Sequence, residues 1–146
     1  MGLLLDFAYL AGAIVASPWL LYRIAFRGDW RGLSGRFGFG IGPAQPGSIW
    51  LHGASAGEIS LLRPIVDRLE RDMPALPIVI SAYSSTGLAA ARNAYPRHRV
   101  ILFPVDLSFV VARFLSRFEP RQIVIVESDF WPNFLAAAQR RRVPVA

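Results

Sequence analysis

From Ser48 onward one pattern repeats: a short run that is apolar throughout, then a longer segment with a single apolar face. The apolar runs are Ser48-Ile-Trp-Leu-His52, Pro77-Ile-Val-Ile-Ser-Ala82, Arg99-Val-Ile-Leu-Phe103 and Gln122-Ile-Val-Ile-Val126. Over 61–71, Leu62, Ile65, Val66 and Leu69 share one helical face, with Arg63, Asp67, Arg68 and Glu70 on the other. Pro64 requires this helix to begin near Ser60 or to be kinked. Further helices are expected over 87–95, after the capping run Ser84-Ser-Thr-Gly87, and over 107–118, with Val110, Val111, Phe114 and Leu115 inside. Another is expected over 132–142, where Pro132 suits a first turn, and Val143-Pro-Val-Ala146 reads as the opening of a fifth strand. Strands that lack polar alternation are buried on both faces. The fold this implies is a Rossmann-like α/β domain, a parallel sheet with helices on both faces.

Such sheets bind ligands beyond the carboxyl ends of their strands, which singles out the loops 52–60, 82–87, 103–107 and 126–133. In the first, Gly53-Ala-Ser-Ala-Gly-Glu58, small residues surround one carboxylate. Small residues let a ligand approach the backbone, Gly57 permits an unusual φ, and helix-N-terminal amides suit an anion. Glu58 is either a catalytic base or a first-turn charge on the helix dipole. Ser84, Ser85 and Thr86 offer hydroxyls to a sugar or phosphate, or cap a helix. Asp106 ends its loop and reads as a cap for the next helix. The fourth loop, Glu127-Ser-Asp-Phe-Trp-Pro-Asn133, holds two carboxylates, an aromatic and an amide. Asp129 could cap the helix after it, whereas Glu127 has no such structural explanation. His52 reads as a satisfied structural histidine. No G-x-G-x-x-G, Walker A or G-x-S-x-G motif occurs, against a common nucleotide or ester site in this segment.

The 146 residues are one domain's worth, yet the chain stops where a strand should begin, so it is expected to be the front part of something longer. Apolar residues make up 53% and mean hydropathy is +0.37, an excess that calls for a core, a membrane or both. All sixteen basic residues are Arg, and ten acids leave a net charge of +6. That charge favours phospholipid headgroups or an anionic ligand; no nucleic-acid-binding motif accompanies it. The absence of Cys excludes disulfides and thiolate chemistry, and His52 and His98 lack metal-ligand spacing, so no metal site is expected.

Leu3 to Tyr22 is almost wholly apolar, with Asp6 its only charge. No basic residue precedes it, which favours an uncleaved membrane anchor over a signal peptide; a buried amphipathic helix is the alternative. Arg23, Arg27, Arg31 and Arg36, opposed only by Asp29, place the rest of the chain on the cytoplasmic side, and Trp19, Tyr22 and Trp30 suit an interface. The expected organisation is therefore an anchor and basic flank over 1–26, a Gly/Pro-rich linker over 27–47 and the α/β domain over 48–146.

Trp50-Leu-His-Gly-Ala-Ser-Ala-Gly-Glu58 with Leu61-Leu-Arg-Pro64, Ser84-Ser-Thr-Gly87-Leu-Ala-Ala-Ala-Arg92 and Glu127-Ser-Asp-Phe-Trp-Pro-Asn133 together resemble the N-terminal domain of 3-deoxy-D-manno-octulosonic acid (Kdo) transferases. The anchor and the Arg- and Gly-rich segment resemble that family too, so the likeness covers essentially the whole chain. It implies the acceptor half of a two-Rossmann (GT-B) inverting glycosyltransferase at the cytoplasmic face of the Gram-negative inner membrane. Such an enzyme moves Kdo from CMP-Kdo to a lipid A precursor in lipopolysaccharide biosynthesis, without a bound metal. The donor, CMP-Kdo, belongs to a C-terminal domain that this chain lacks, so the chain alone should be inactive. The resemblance makes Glu58 the general base and Glu127 a second important acid. Ser55, Gly57, Ser85, Thr86, Asp129 and Asn133 become candidates for binding the acceptor or supporting those that do. Two departures exist: the family usually has Ser-Val-Gly-Glu where this chain has Ser-Ala-Gly-Glu, and Glu at the position of Asp129. Another membrane-associated GT-B glycosyltransferase and a non-catalytic, membrane-anchored α/β binding module are the competing readings.

Overall fold

A computed structural model describes residues 2–15, 30–126 and 130–146. Among the described residues, two helices, α1 (Gly2–Val15) and α2 (Trp30–Arg36), precede an alternating series. The series runs β1 (Ile49–Gly53), α3 (Ala56–Leu61), α4 (Arg63–Asp72), β2 (Ile78–Ala82), α5 (Ser85–Ala94), β3 (Arg99–Leu102), α6 (Ser108–Phe118), β4 (Gln122–Ile125) and α7 (Pro132–Arg140). All strand pairings are parallel and the order is β3-β2-β1-β4. The expected fifth strand is reduced to one parallel bridge, Ile123 to Val145, on the outer side of β4.

The apolar strands follow from burial on both faces. On one face Trp50, Val79, Ile101, Phe103 and Ile123 pack against α6 and α7. On the other, Ile49, Leu51, Ile78, Ile80 and Ala82 pack against α3, α4 and α5. Trp50 is the hub of the first face. Its ring lies 5.3 Å from Phe134, 5.6 Å from Phe118, 6.1 Å from Phe103 and 6.2 Å from Phe114. Its indole N–H, fully buried, donates to Ser81 Oγ at 2.8 Å, as a buried tryptophan requires.

The structure departs from the expected boundaries for physical reasons. The helix anticipated over 61–71 begins earlier, at Ala56, and breaks at Leu62. Pro64 cannot donate the hydrogen bond that would continue the helix, so it sits instead in the first turn of α4. The segment read as a Gly/Pro-rich linker over 27–47 contains α2, and its Phe37 and Ile41 pack against the core. Arginines hold that segment by its carbonyls. Arg113 donates to Phe37 O at 3.1 Å, and Arg117 donates to Gly42 O through Nε at 2.9 Å and Nη2 at 2.5 Å. Gly42 has φ +83°, and a Cβ there would run into the Arg99 guanidinium.

Of the apolar N-terminal run, the structure describes α1 only; Trp19, Tyr22, Arg23, Arg27 and Asp29 lie outside the described residues. Among the described residues no helix is long and apolar enough to cross a membrane. Asp6, the lone charge of the run, is buried against the domain.

Because Trp50 fills the space shared by four aromatic rings, Trp50→Ala should cost about 3–5 kcal/mol. Urea unfolding checks this: the midpoint should fall with the slope unchanged.

Candidate functional site

The strand order places β1 centrally. The chain moves outward from β1 through β2 to β3, then crosses to β4 on the other side of β1. Loops leaving β1 and β4 therefore diverge at their carboxyl ends, the crevice where open α/β sheets bind ligands. The backbone joins them there: Val126 N donates to His52 O at 2.9 Å. The loops after β1 and β2 are joined as well. Ala54 O accepts from Tyr83 N (3.2 Å), Ser84 N (2.9 Å) and Ser84 Oγ (3.0 Å). This close approach needs Gly87, where a Cβ would sit 3.0 Å from Ser84 Oγ and 3.1 Å from Ala54 O. Gly53 is equally constrained, since its Cβ would lie 3.0–3.1 Å from Glu58 and Ile59 backbone and side-chain atoms. Gly57 is not: it sits in the first turn of α3 without a positive φ, so the unusual conformation expected of it does not occur.

Glu58 and Ser55 form a reciprocal cap on α3. Ser55 stands at the N-cap and its hydroxyl accepts from Glu58 N at 3.3 Å. The Glu58 carboxylate reaches back, accepting from Ser55 Oγ at 2.7 Å and from Ala54 N at 2.6 Å. This is the S-x-x-E arrangement of a capping box, shifted by one residue at the returning bond. Burial pushes the Glu58 carboxyl upward. The Ser55 hydroxyl, the Ala54 amide and the neighbouring His52 outweigh it and hold the group below the usual 4.5. Glu58 is thus a charged, half-buried group at the carboxyl end of β1.

His52 is the structural histidine that its sequence context suggests. It is fully buried, its Nδ1 lies 2.9 Å from Ser81 Oγ and 3.1 Å from Ser81 O, and its ring is 4.1 Å from Phe103. Ser84, not Ser85 or Thr86, caps α5, accepting from Gly87 N at 3.0 Å. Ser85 and Thr86 are exposed on the same rim as Glu58's loop. Glu127 and Asp129 lie outside the described residues.

The end of that fourth motif has a role the residues alone concealed. Asn133 is only 2% exposed, and its side chain is engaged within the protein. Its Nδ2 donates to Asp106 O at 2.6 Å and to Asp6 Oδ1 at 3.0 Å. Asp106 does not cap α6, the next helix in the chain. It accepts from Asn133 N (3.0 Å) and Phe134 N (2.8 Å), so it caps α7. Burial raises the Asp106 carboxyl above its usual range against the pull of those two amides.

Arg36, read as part of a basic flank, stands at the site. Its guanidinium donates to Tyr83 O and, at 3.4 Å, to Phe103 O, and lies 4.2 Å from the Tyr83 ring centre. Tyr83 in turn stacks on Trp131 at 5.1 Å. The Trp131 indole nitrogen is buried without a partner among the described residues. No sequence rule joins positions 36, 83 and 131; only the fold does. A cavity of about 640 Å³ lies elsewhere, along the outer edge of β3, lined by Arg92, Arg99 and Phe39 among others. None of its lining comes from the loops after β1, β2 or β4. No cluster of metal-ligating side chains occurs among the described residues.

The arrangement can therefore place one carboxylate, hydroxyls and an arginine–aromatic stack around a crevice open to solvent. The model of the family described as 3-deoxy-D-manno-octulosonic-acid transferase (kdotransferase) matches residues 31–146. The 3-deoxy-D-manno-octulosonic acid transferase of Chlamydia muridarum is 29% identical over 143 residues, covering 94% of this chain and 33% of that protein. That of Chlamydia trachomatis serovar D is 31% identical, covering 86% and 30%. That of Haemophilus influenzae is 30% identical, covering 77% and 27%. The chain spans about a third of the length of the curated relatives it matches. With that match over the whole α/β region, the chain belongs to the 3-deoxy-D-manno-octulosonic acid transferase family.

Proposed function

We propose that this chain is the acceptor-binding half of a GT-B Kdo transferase. In this reading a second Rossmann-like half binds CMP-Kdo and closes over the carboxyl edge of the sheet. Glu58 takes the proton from a hydroxyl of a lipid A precursor as that oxygen attacks the anomeric carbon of Kdo and CMP departs. The displacement is single and inverts the anomeric centre, and no metal takes part. The observation that carries the reading is the position of Glu58: an ionised carboxylate at the carboxyl end of the central strand, within the family's motif, where a second domain would complete a crevice. Ser85, Thr86 and the Arg36–Tyr83–Trp131 stack supply polar and aromatic surface for the acceptor's sugar. The exposed apolar face of α1, with Leu3, Leu4, Phe7 and Ile14, supports attachment to the cytoplasmic face of the inner membrane, where the acceptor lipid would reside.

The cap geometry favours a second reading, in which Glu58 only ends α3 and the module binds without catalysis. Glu58→Gln separates the two. In a full-length transferase carrying this segment, Gln keeps the shape and accepts the same amide bond but cannot take a proton. Transfer of Kdo from CMP-Kdo to lipid A precursor should fall by about 10²–10⁴-fold if Glu58 is the base. Transfer within a fewfold of wild type, on a folded protein, would leave only the capping role.

The depressed carboxyl makes a further prediction. A group whose folded value lies below its unfolded one adds stability above the unfolded value and loses it as pH falls through the folded one. The Glu58 contribution should therefore be present at neutral pH and vanish on acidification below about 4.5. Ser55→Ala, which removes the strongest downward influence and costs about 1 kcal/mol of capping, should move that loss to higher pH. Thermal unfolding followed between neutral and acid pH checks the direction. A Ser55→Ala profile superimposable on wild type would contradict it.

A further inference from the structure

Neither α6 nor α7 is capped by the side chain at its own N-cap position. Leu107 and Trp131 stand at their N-cap positions, and neither side chain bonds the first turn. Both helix starts are nevertheless met by carboxylates from elsewhere. Asp6 of α1 accepts from Ser108 N at 2.8 Å and from the Ser108 hydroxyl, while Asp106 holds the start of α7. The Asn133 amide nitrogen links the Asp6 carboxylate to the Asp106 backbone carbonyl. Tyr9, nearly one turn along α1 from Asp6, donates to Asp106 Oδ2 at 3.2 Å. Asp6 and Asp106 are each 7% exposed.

The rest of α1 behaves in the opposite way. Leu3, Leu4, Phe7 and Ile14 are 83%, 79%, 76% and 72% exposed. A helix that docked on the domain by the hydrophobic effect would bury those residues and expose its carboxylate. Here the carboxylate is buried and the apolar residues face outward. Burying a carboxylate is unfavourable unless donors meet it, and three donors do. The attachment is therefore polar and directional. Hydrogen bonds fix an angle, which a greasy contact does not.

We propose that Asp6, Asn133 and Asp106 form a latch that sets the angle of α1 against the start of α7, and that Asp6 is a positioning residue for transfer to an acceptor embedded in a bilayer. The inference rests on the proposed membrane attachment of α1. With the apolar face of α1 in lipid, the latch passes the orientation of the membrane plane to Asn133. Asn133 lies two residues from Trp131, which stacks on Tyr83 at the mouth of the sheet, so the site is held at a constant angle to the surface that carries the acceptor. Detergent imposes no plane, so the latch has nothing to transmit there.

The test uses a full-length transferase carrying this segment, with Asp6→Leu and Asp6→Asn. Leu breaks the latch and keeps the helix apolar. Asn retains an oxygen for Ser108 N and Asn133 Nδ2, and its amide can donate to the Ser108 hydroxyl. Asp6→Leu should bind anionic phospholipid vesicles as well as wild type and speed exchange of the Ser108 amide hydrogen at least tenfold. It should lower transfer to lipid A precursor in those vesicles tenfold or more, while transfer to the same precursor in detergent micelles changes less than twofold. Asp6→Asn should restore most of the vesicle activity. Equal losses in vesicles and micelles, or no loss in vesicles, would overturn the proposal. If the wild-type protein transfers Kdo in neither setting, the functional reading has failed instead, and unchanged Ser108 exchange in Asp6→Leu then overturns the latch by itself.

Discussion

β1 is the constraint on which the site depends. All five of its residues are buried, it pairs with β2 on one side and β4 on the other, and helices cover both its faces. A strand so enclosed cannot slip register without moving Trp50 out of its aromatic cluster and Leu51 out of the opposite core. Its carboxyl end is therefore a fixed point. His52 locks it sideways through Ser81, and Gly53 allows α3 to begin within van der Waals distance. Glu58 inherits its position from that chain of contacts, and the loops after β2 and β4 are bonded to the same few backbone atoms of His52 and Ala54.

What could be read from the residues was what periodicity encodes. Apolar runs without alternation gave a parallel sheet covered twice, and the strands fall within a residue or so of the runs that suggested them. The candidate ligand loops are those that parallel topology alone singles out. What could not be read was long-range polar pairing. Asp106 precedes α6 by two residues and looks like its cap, yet it serves α7, because the loop after β3 lies beside the start of α7 once the chain has crossed the sheet. Asp6 looks like a blemish in an apolar run, and its partner is 102 positions away. Gly57 drew notice as the glycine beside the candidate base, whereas the close approaches are at Gly53 and Gly87, where a neighbouring element and not a turn excludes the side chain.

Charge shows the same division. A net charge of +6 invites an anionic partner, but part of that charge is already engaged inside the molecule. Arg36, Arg113 and Arg117 each donate to backbone carbonyls, the latter two to the glycine-rich segment that joins α2 to β1. The planar, multiply donating guanidinium suits this better than lysine would, because two of its N–H groups can converge on one carbonyl, as Arg117 does at Gly42, or reach two, as Arg36 does at Tyr83 and Phe103. Counting charges overstates what is offered to a ligand; Arg36 matters because it reaches the mouth of the sheet and stacks on Tyr83.

The two roles of Glu58 are compatible in chemistry as well as in geometry. A carboxylate has about four lone-pair positions, and the cap uses one on each oxygen. The bonds that cap α3 also fix the rotamer, which is what a base needs if it is to meet a hydroxyl at a set distance. They lower its basicity, which is the opposite of what proton abstraction near neutrality favours. Burial already acts against that lowering and is the largest single influence on the group. If a second domain covers the loop as proposed, it would remove more water from the same carboxylate and move its pKa upward, while Ser55 and Ala54 keep it in place. In the proposed reading the capping box would then serve as the rigid mount of the base, and closure of a donor-binding half would supply the basicity that this segment alone withholds.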